Sequence, residues 1–541
     1  MKTRKAFTNL PTHYYRPEFE QCIECGAPLK RSHTAWHKTV IGLEETAIVF
    51  NQAYRCRDRD ICSHPERVYR SGYADGLVLP YYSYGLDVIV YIGQQRLRQK
   101  RTIPEIHQLL REKPIPISER AVEYLFDSYL VLSACSQGER IEKYRPEIEA
   151  NGGVVLAIDG AKPEKGQPGL YIFRDTLSGC RLHAALLPSG DCESIAQELN
   201  VVKSLGLPVQ AVISDDELAT VAAVTDVYPD LPHGLCHIHF LKAVQKPIYA
   251  QDQQLAIELK KPLRALTRVE RLLRTHPESV DGLSTNQEQA LRRYLDALRG
   301  ILLTKGQAPF RLAGTTIYDA LARLTDSLAR SQDQQDHLVL QQLQSLVATY
   351  QAHRPAYERI TRQQTWFLGL ADLLDVPLTE THDWPTQTGA EVAQALSDYL
   401  DALDILGHEL SDDLSLFRHF RRRVEQWAPG LFWTFEISAL PRTNNDLETD
   451  IGNIKEQYRR ITGRRSLKDY LMRYGPYLTF DDDHDDPDEL LAWFQEVDRQ
   501  LFLDERAKLD ALREHLRNMH RFRQDPDDFL AETERLWSDT S

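Results

Sequence analysis

Two short apolar runs, each closed by an aspartate, constrain the fold of this chain more than any other feature. Val154–Ile158 leads into Asp159, and Val209–Ser214 leads into Asp215. Apolar runs of this length between turn residues are typical of buried strands. A carboxylate at the tip of such a strand is held rigidly and still reaches solvent. The surrounding pattern predicts strands at 154–159, 169–175, 180–187 and 208–214, and helices at 191–204 and 217–226.

A third acid, Glu448, lies 233 residues after Asp215, in a polar turn ahead of a basic stretch. Between them, residues 245–430 are rich in Leu, Gln, Arg and Asp and predict an all-helical insertion. Three strands, the first pair antiparallel, then a helix, a strand and a helix describe a ribonuclease-H-like mixed sheet. We therefore predict a multidomain α/β protein whose core is interrupted by the insertion, with Glu448 returning on a helix packed against the sheet.

Neighbouring acids leave the register of two of these positions open. Asp216 directly follows Asp215, and both Asp446 and Asp450 compete with Glu448. Strand-end carboxylates of this kind are what two hard cations that bridge a phosphate require. The three acids are therefore a predicted binding site for two Mg²⁺ or Mn²⁺ ions.

Changes in composition divide the chain into six predicted segments, with Asn151-Gly152-Gly153 as one boundary. They are a zinc-ribbon-like domain (1–75), a helix-turn-helix domain (84–135), the first part of the core (151–244), the all-helical insertion (245–430), the second part of the core with Glu448 (431–480), and an acidic linker with C-terminal helices (481–541).

Four of the eight cysteines fall within the first 62 residues, which in a cytosolic chain favours metal binding over disulfides. Cys22 and Cys25 form a CxxC, and Cys56 and Cys62 are spaced CxxxxxC, with His64 two residues beyond. Tetrahedral zinc takes four such ligands. We predict a structural zinc ribbon in which Cys62 or His64 supplies the fourth ligand. Two unrelated cysteine pairs are the alternative.

Three helical patterns between residues 84 and 133 are separated by short breaks, with Ser118 as a predicted N-cap. They indicate a helix-turn-helix, whose second helix would offer its N-terminal side chains to the major groove of DNA. An ordinary helical hairpin with a solvated basic face is the alternative. The candidate DNA contacts here are Arg96, Arg98, Lys100, Arg101 and Arg120.

The net charge of −14 does not exclude a nucleic-acid partner, because the charge is unevenly distributed. Residues 481–541 carry 19 acidic and 8 basic side chains, whereas residues 1–111 carry 17 basic and 11 acidic ones. No apolar run is long enough to cross a membrane, and Met1–Lys5 is not followed by a signal-peptide core. We expect a cytoplasmic protein, in the bacterial cytosol or nucleoid, with no membrane partner.

A further signal comes from six strings, namely Val154–Gly160, Ser214-Asp215, Tyr228-Pro229, Cys236-x-x-His239, Thr443-Asn444-Asn445-x-x-Glu448 and Arg459-Arg460-x-Thr462-Gly463-Arg464. Together they resemble bacterial insertion-sequence transposases allied to the Mutator-like DDE group. The resemblance covers residues 150–242 and 440–470 specifically, and the N-terminal modules in architecture.

The resemblance implies that Asp159, Asp215 and Glu448 are the metal-binding catalytic triad. Cys236 and His239 would be the CxxH element of the family, which shapes the site or orders the insertion. A buried thiol and a satisfied histidine are the alternative. Basic residues after Glu448 would grip DNA phosphates, unless they form only a solvated helix face; they are Lys455, Arg459, Arg460, Arg464 and Arg465.

The predicted function is thus DNA transposition, with metal-dependent cleavage at the ends of a mobile element and strand transfer into target DNA. The expected partners are double-stranded DNA, both terminal repeats and target, and further copies of the chain in a homo-oligomeric synaptic complex. Two alternatives stay open. One is a catalytically silent DNA-binding regulator descended from a transposase, and the other is a metal-dependent nuclease of the same fold.

Overall fold

The computed structural model describes residues 9–113, 115–161, 167–275, 283–334, 337–375, 387–464, 466–480 and 486–538. The chain forms two compact units. The first comprises the residues up to Gln210, Leu218–Asp230 and the residues from Asn445 onward, and the second comprises Ala211–Glu217 and Leu231–Asn444. Helices and two mixed sheets are both present, so the chain is a mixed α/β protein, as predicted.

The first unit opens with a three-stranded sheet made of β1 (Thr12–Tyr15), β2 (Leu29–Ile41) and β3 (Thr46–Cys56), in the order β1-β3-β2. β2 and β3 form an antiparallel hairpin with two bulges in β2, and β1 pairs in parallel with β3. Buried and half-buried residues alternate along most of β3, as the period of two in a strand requires. One face of β3 is therefore packed into the protein and the other is only partly covered.

Five helices follow: α1 (Gly72–Gly76), α2 (Leu86–Leu97), α3 (Ile103–Glu112), α4 (Glu119–Cys135) and α5 (Gln137–Ala150). A capping box of Thr102 and Glu105 begins α3. Ser118 begins α4 as predicted, because its hydroxyl accepts the N–H of Ala121 at 3.3 Å. Every α4 residue from Leu125 to Ser133 is buried, so this helix lies at the centre of the unit.

The second sheet comprises β4 (Val154–Ala161), β5 (Gly169–Asp175), β6 (Arg181–Leu187), β7 (Val209–Ser214) and β8 (His233–Leu235), with helices α6 (Cys192–Ser204) and α7 (Leu218–Val227) between strands. The order is β6-β5-β4-β7-β8; β4, β5 and β6 are antiparallel, and β7 and β8 are parallel. The predicted bounds agree with these elements to within two residues, but β8 was not predicted. Gly153, directly before β4, has φ +132°, and a Cβ there would lie 2.5 Å from the Pro208 carbonyl oxygen.

Helices make up almost all of the regular structure in the rest of the second unit. They are α8 (His237–Leu263), α9 (Leu266–Thr275), α10 (Thr285–Leu303), α11 (Ala313–Gln334), α12 (Leu338–Ala348), α13 (Arg354–Leu373), α14 (Gly389–Glu409), α15 (Leu414–Leu431) and α16 (Trp433–Glu436), with 3₁₀ turns at Thr349–His353 and Ser411–Asp413. α8 packs against α11, α13 and α15. Its buried Asp252 accepts three backbone N–H groups at the start of α11, at 2.7–2.9 Å.

The chain then contributes to the first unit again. The elements are α17 (Asn445–Thr462), α18 (Lys468–Tyr474), a 3₁₀ turn (Gly475–Thr479), α19 (Pro487–Glu496), α20 (Arg499–Leu512), α21 (Glu514–Gln524) and α22 (Pro526–Ser538). Among all the described helices, none combines the length and the apolar character needed to cross a bilayer.

The C-terminal helices complete the core of the first unit. Phe494 of α19 and Phe502 of α20 belong to the same buried cluster as Phe126 and Tyr129 of α4. The predicted C-terminal helices correspond to α19 to α22; Asp498 caps α20, and Asp525 accepts the N–H of Asp528 at the start of α22. The predicted acidic linker lies largely outside the described residues, since 481–485 are not described and α19 begins at Pro487.

Candidate functional site

Asp159 lies within β4, on a strand whose preceding residues are all buried. The strand does not end at Asp159 but continues through Gly160 to Ala161, with Asp159 opposite Ile172 of β5. The Asp159 side chain is half-buried, and its Oδ1 accepts the Gly160 N–H at 2.7 Å. A Cβ at Gly160 would lie 2.9 Å from the ring of Tyr171, so glycine is needed beside this acid.

Asp215 and its neighbour Asp216 both lie in the second unit, but their side chains make different hydrogen bonds. Asp215 follows the last residue of β7, and its Oδ1 accepts the N–H of Glu217 at 3.2 Å. Asp216 instead accepts a hydrogen bond from the Gln426 side chain on α15. Burial raises the pKa of Asp216 above its ordinary value. The two adjacent carboxylates therefore have different partners and surroundings.

The three acids that compete for the third predicted metal-binding position differ clearly in exposure. All lie in the first two turns of α17, where Asp446 is exposed, Glu448 is half-buried and Asp450 is buried. Asp450 accepts Arg174 Nη1 at 2.8 Å and a pair of donors from Arg181, each at 3.1 Å. Asp450 is thus committed to a buried ion pair with two arginines of the β5–β6 hairpin, a role that the sequence alone did not reveal.

α17 packs against β4 within the first unit, so the helix of Glu448 lies on the strand of Asp159. Leu447 and Ile451 share a buried cluster with Ala161 of β4 and Ile172 of β5. Asp159 and Glu448 therefore belong to the first unit and Asp215 to the second.

The four cysteines are brought together at one end of the β2–β3 hairpin. Cys56 ends β3 directly opposite Leu29, the first residue of β2, and the loop before β2 carries Cys22 and Cys25. Gly26 closes that loop at φ +70°, where its N–H donates to the Cys22 carbonyl at 2.8 Å.

The distances in this cluster suit a tetrahedral metal. All four Sγ atoms lie within 4.8 Å of one another, with 3.7 Å between Cys22 and Cys62 and 3.5 Å between Cys25 and Cys56. A zinc ion with bonds of about 2.3 Å holds its sulfur ligands about 3.8 Å apart. The cluster could therefore hold one zinc, and among the described residues no other group of three or more potential ligands is this close together.

Cys62, not His64, completes the set of four. The His64 side chain is 67% exposed, and its Nδ1 lies 3.5 Å from the Glu24 carboxylate. On the protein side of the cluster, the Tyr69 hydroxyl lies 3.2 Å from Cys22 Sγ, and this hydrogen bond lowers the pKa of Cys22 to about 6. Tyr69 would support the ligand from outside the coordination shell.

The CxxH pair begins α8, and its two members are not part of the cysteine cluster. Cys236 is buried, and its Sγ accepts the N–H of Asn444 at 3.4 Å, while the His237 N–H donates to the Arg442 carbonyl at 2.9 Å. These bonds tie the start of α8 to the loop that ends one residue before α17. His239 is half-buried on the first turn of α8.

The basic residues of the predicted helix-turn-helix differ in exposure. Arg96 is only 6% exposed, and its Nη1 donates to the Arg101 carbonyl at 2.8 Å. Because a buried arginine cannot reach DNA, the prediction that Arg96 contacts DNA is not retained. Arg98, Lys100 and Arg101 are half-buried, and Lys100 pairs with Glu456 of α17 at 2.7 Å. On α4, the exposed residues are Glu119 and Arg120 in the first turn, and Tyr124 in the next turn.

The basic stretch on and after α17 is largely on the surface. Lys455, Arg459, Arg460 and Arg464 are exposed, whereas Arg465 lies outside the described residues. Two of these arginines have acidic neighbours: Arg460 is 2.8 Å from Glu105 and Arg464 is 2.8 Å from Asp469. Exposed ion pairs of this kind contribute little to stability.

Neither protein-family models nor curated protein sequences match the chain. Among solved structures, the Drosophila P element transposase strand transfer complex is similar at a TM-score of 0.31 and 11% sequence identity, over 74% of this chain and 92% of that one. A TM-score this low does not establish a shared fold, so the similarity carries no functional conclusion.

Proposed function

We propose that the protein is a DDE-type DNA transposase, with Asp159, Asp215 and Glu448 as its catalytic acids. The observation that carries the proposal is the packing of α17, which bears Glu448, against β4, which bears Asp159. The competing Asp450 is held in a buried ion pair and Asp446 is fully on the surface, so Glu448 is the acid best suited to a metal.

The order of elements supports a ribonuclease-H-like core. Three antiparallel strands are followed by a helix, a strand, a second helix and a short parallel strand. In this interpretation, the helices between β8 and α17 are an insertion between the second and third acids. The hydrogen bond from Asn444 to Cys236 would fix the exit of that insertion, just ahead of Glu448.

The three carboxylates would hold two Mg²⁺ or Mn²⁺ ions, which activate the attacking water or 3′-hydroxyl and stabilise the leaving oxygen during phosphoryl transfer. The protein itself would fix the positions of these carboxylates before a metal ion binds. Asp159 is held within a paired strand, and Asp215 is oriented by the N–H of Glu217. Rigid ligands cost little reorganisation when the substrate binds.

The remaining modules would bind DNA. A zinc ion at Cys22, Cys25, Cys56 and Cys62 would be structural, because four protein ligands leave no position for a substrate. Exposed Lys455 and other basic residues near α17 would neutralise backbone phosphates close to the acids. The candidates are Arg98, Lys100, Arg101, Arg120, Lys455, Arg459, Arg460 and Arg464.

The test uses the purified chain, Mg²⁺ and labelled duplexes taken from the DNA that flanks its gene, where inverted repeats would mark the element ends. We expect nicked and then joined products. Glu448→Gln, Asp159→Asn and Asp215→Asn should each abolish both products while duplex binding persists. Asp446→Asn, an exposed acid two residues before Glu448, is the matched control and should retain activity.

Other outcomes separate the alternatives. Metal-dependent cleavage without joining would indicate a nuclease, and tight duplex binding without cleavage at any Mg²⁺ or Mn²⁺ concentration would indicate a regulator. Full activity of Glu448→Gln would contradict the proposed triad itself.

A further inference from the structure

The last two helices of the described chain, α21 and α22, leave most of their apolar side chains in solvent. Neither helix contains a buried residue over Glu514–Ser538. Five large apolar side chains on this α21–α22 hairpin are between 41% and 89% exposed; they are Met519, Phe522, Leu530, Leu536 and Trp537. Helices of 11 and 13 residues are marginal unless an apolar face is buried by tertiary contacts.

Contacts inside the hairpin do not remove this exposure. Phe522 and Phe529 meet edge to face with their ring centroids 5.8 Å apart, and Arg521 pairs with Glu532. These contacts hold the two helices against each other near the turn that joins them. Trp537 nevertheless stays 89% exposed, so the apolar side chains of the hairpin form a surface that is not buried by the described residues.

The charges of the hairpin are segregated by helix. α21 carries three arginines and one glutamate, whereas α22 carries four carboxylates and one arginine. With histidine neutral, the formal charges are therefore about +2 and −3. A surface with one basic and one acidic helix is complementary to a second copy of itself that is related by a two-fold axis.

We propose that the α21–α22 hairpin pairs with the same hairpin of a second copy of the chain. The two hairpins would form a four-helix arrangement in which α21 of each copy lies beside α22 of the other. Leu530, Leu536 and Trp537 would be buried at its centre, and the opposite charges would face each other at its rim. This inference does not depend on the catalytic proposal, since it concerns only assembly.

The first test compares two substitutions at equally exposed aliphatic residues in the full-length protein. Leu536 is 70% exposed on α22, and Ile405 is 71% exposed on α14, in the other unit. Sedimentation equilibrium of the wild type should show a dimer at micromolar concentrations. Leu536→Asp should raise the dissociation constant at least about tenfold, which corresponds to about 1.4 kcal/mol, whereas Ile405→Asp should leave it unchanged.

The second test exchanges charges between the helices. Arg517→Glu with Arg523→Glu makes α21 acidic, and Asp528→Lys with Glu534→Lys makes α22 basic. Each double variant alone should dimerise poorly, because like charges then face each other in both pairs of helices. An equimolar mixture of the two variants should restore the dimer, since each α21 then faces an α22 of opposite charge across the interface between the copies.

Rescue in the mixture would identify a second copy as the partner, because no other protein is present. A wild-type chain that stays monomeric at about 100 µM, far above the micromolar range expected for the dimer, would overturn the proposal. So would a dimer that neither Leu536→Asp nor the charge reversals weaken. Circular dichroism of each variant would show that the first unit is still folded.

Discussion

Replacing Asp450 by Asn would distinguish an acid with a structural role from Glu448, the acid on the same helix that we propose to be catalytic. The Asp450 carboxylate receives one hydrogen bond from Arg174 and two from Arg181, at 2.8–3.1 Å. Asparagine keeps the shape of the side chain and one carbonyl acceptor but removes the charge. The two guanidinium groups would then face each other across a neutral amide.

The magnitude follows from the burial of the three groups. The side chains of Asp450, Arg174 and Arg181 are 10%, 19% and 17% exposed. Removing one partner of a buried ion pair costs about 3–5 kcal/mol, because the remaining charge is left without compensation. Since some water reaches these arginines, we expect the lower end of that range, about 3 kcal/mol, for the free energy of unfolding of the first unit.

Urea denaturation followed by circular dichroism would measure this change, with Asp446→Asn as the exposed control on the same helix. Asp450→Asn should shift the midpoint to lower urea and retain metal-dependent cleavage at low temperature. Glu448→Gln should do the opposite, losing cleavage with an unchanged midpoint. If Asp450→Asn abolished cleavage and left stability unchanged, Asp450 would be the third catalytic acid and our assignment of Glu448 would be wrong.

Three further outcomes are expected. Metal analysis should find about one zinc per chain, lost in Cys62→Ser but retained in His64→Ala, and zinc in both variants would exclude Cys62 as a ligand. Arg513→Ala should destabilise the first unit by about 3 kcal/mol in urea denaturation, because buried Asp127 loses two hydrogen bonds at 2.7 and 2.8 Å; an unchanged midpoint would contradict this. Burial lowers the pKa of His237 to about 4, so the unfolded chain binds a proton that the folded chain excludes. Stability should therefore fall as the pH drops from about 6.5 towards 4, by about 2 kcal/mol at pH 5, and His237→Gln should remove that part of the loss in denaturation series at pH 8 and 5.

The sequence predicted features that depend on residues close together in the chain. Apolar runs located β4 and β7 to within two residues, because a buried strand needs a continuous apolar stretch. The CxxC and CxxxxxC spacings predicted the cysteine cluster, since each pair is held by one local turn. The choice between Cys62 and His64 needed the structure, because both lie within reach of the same loop.

Features that depend on distant residues could not be read from the sequence. Asp450 meets Arg174 across 276 positions, and no local pattern marks either residue as a partner of the other. Arg96 lies in a basic string that favours the surface, yet its aliphatic stem and guanidinium are buried over the ring of Phe126. Exposure of a basic residue is a tertiary property, so charge patterning alone overestimated the candidate DNA contacts.

Because the first unit is discontinuous in sequence, its core cannot be completed until the C-terminal helices have been synthesised. The α4 helix must wait for α19 and α20, which the ribosome makes more than 350 residues later, before its apolar surface is covered. At about 5–20 residues per second this delay lasts tens of seconds. The second unit is nearly continuous in sequence and can fold within that interval. Until then, the surfaces of α2 and α4 that later pack against α19 and α20 are expected to stay exposed on the nascent chain.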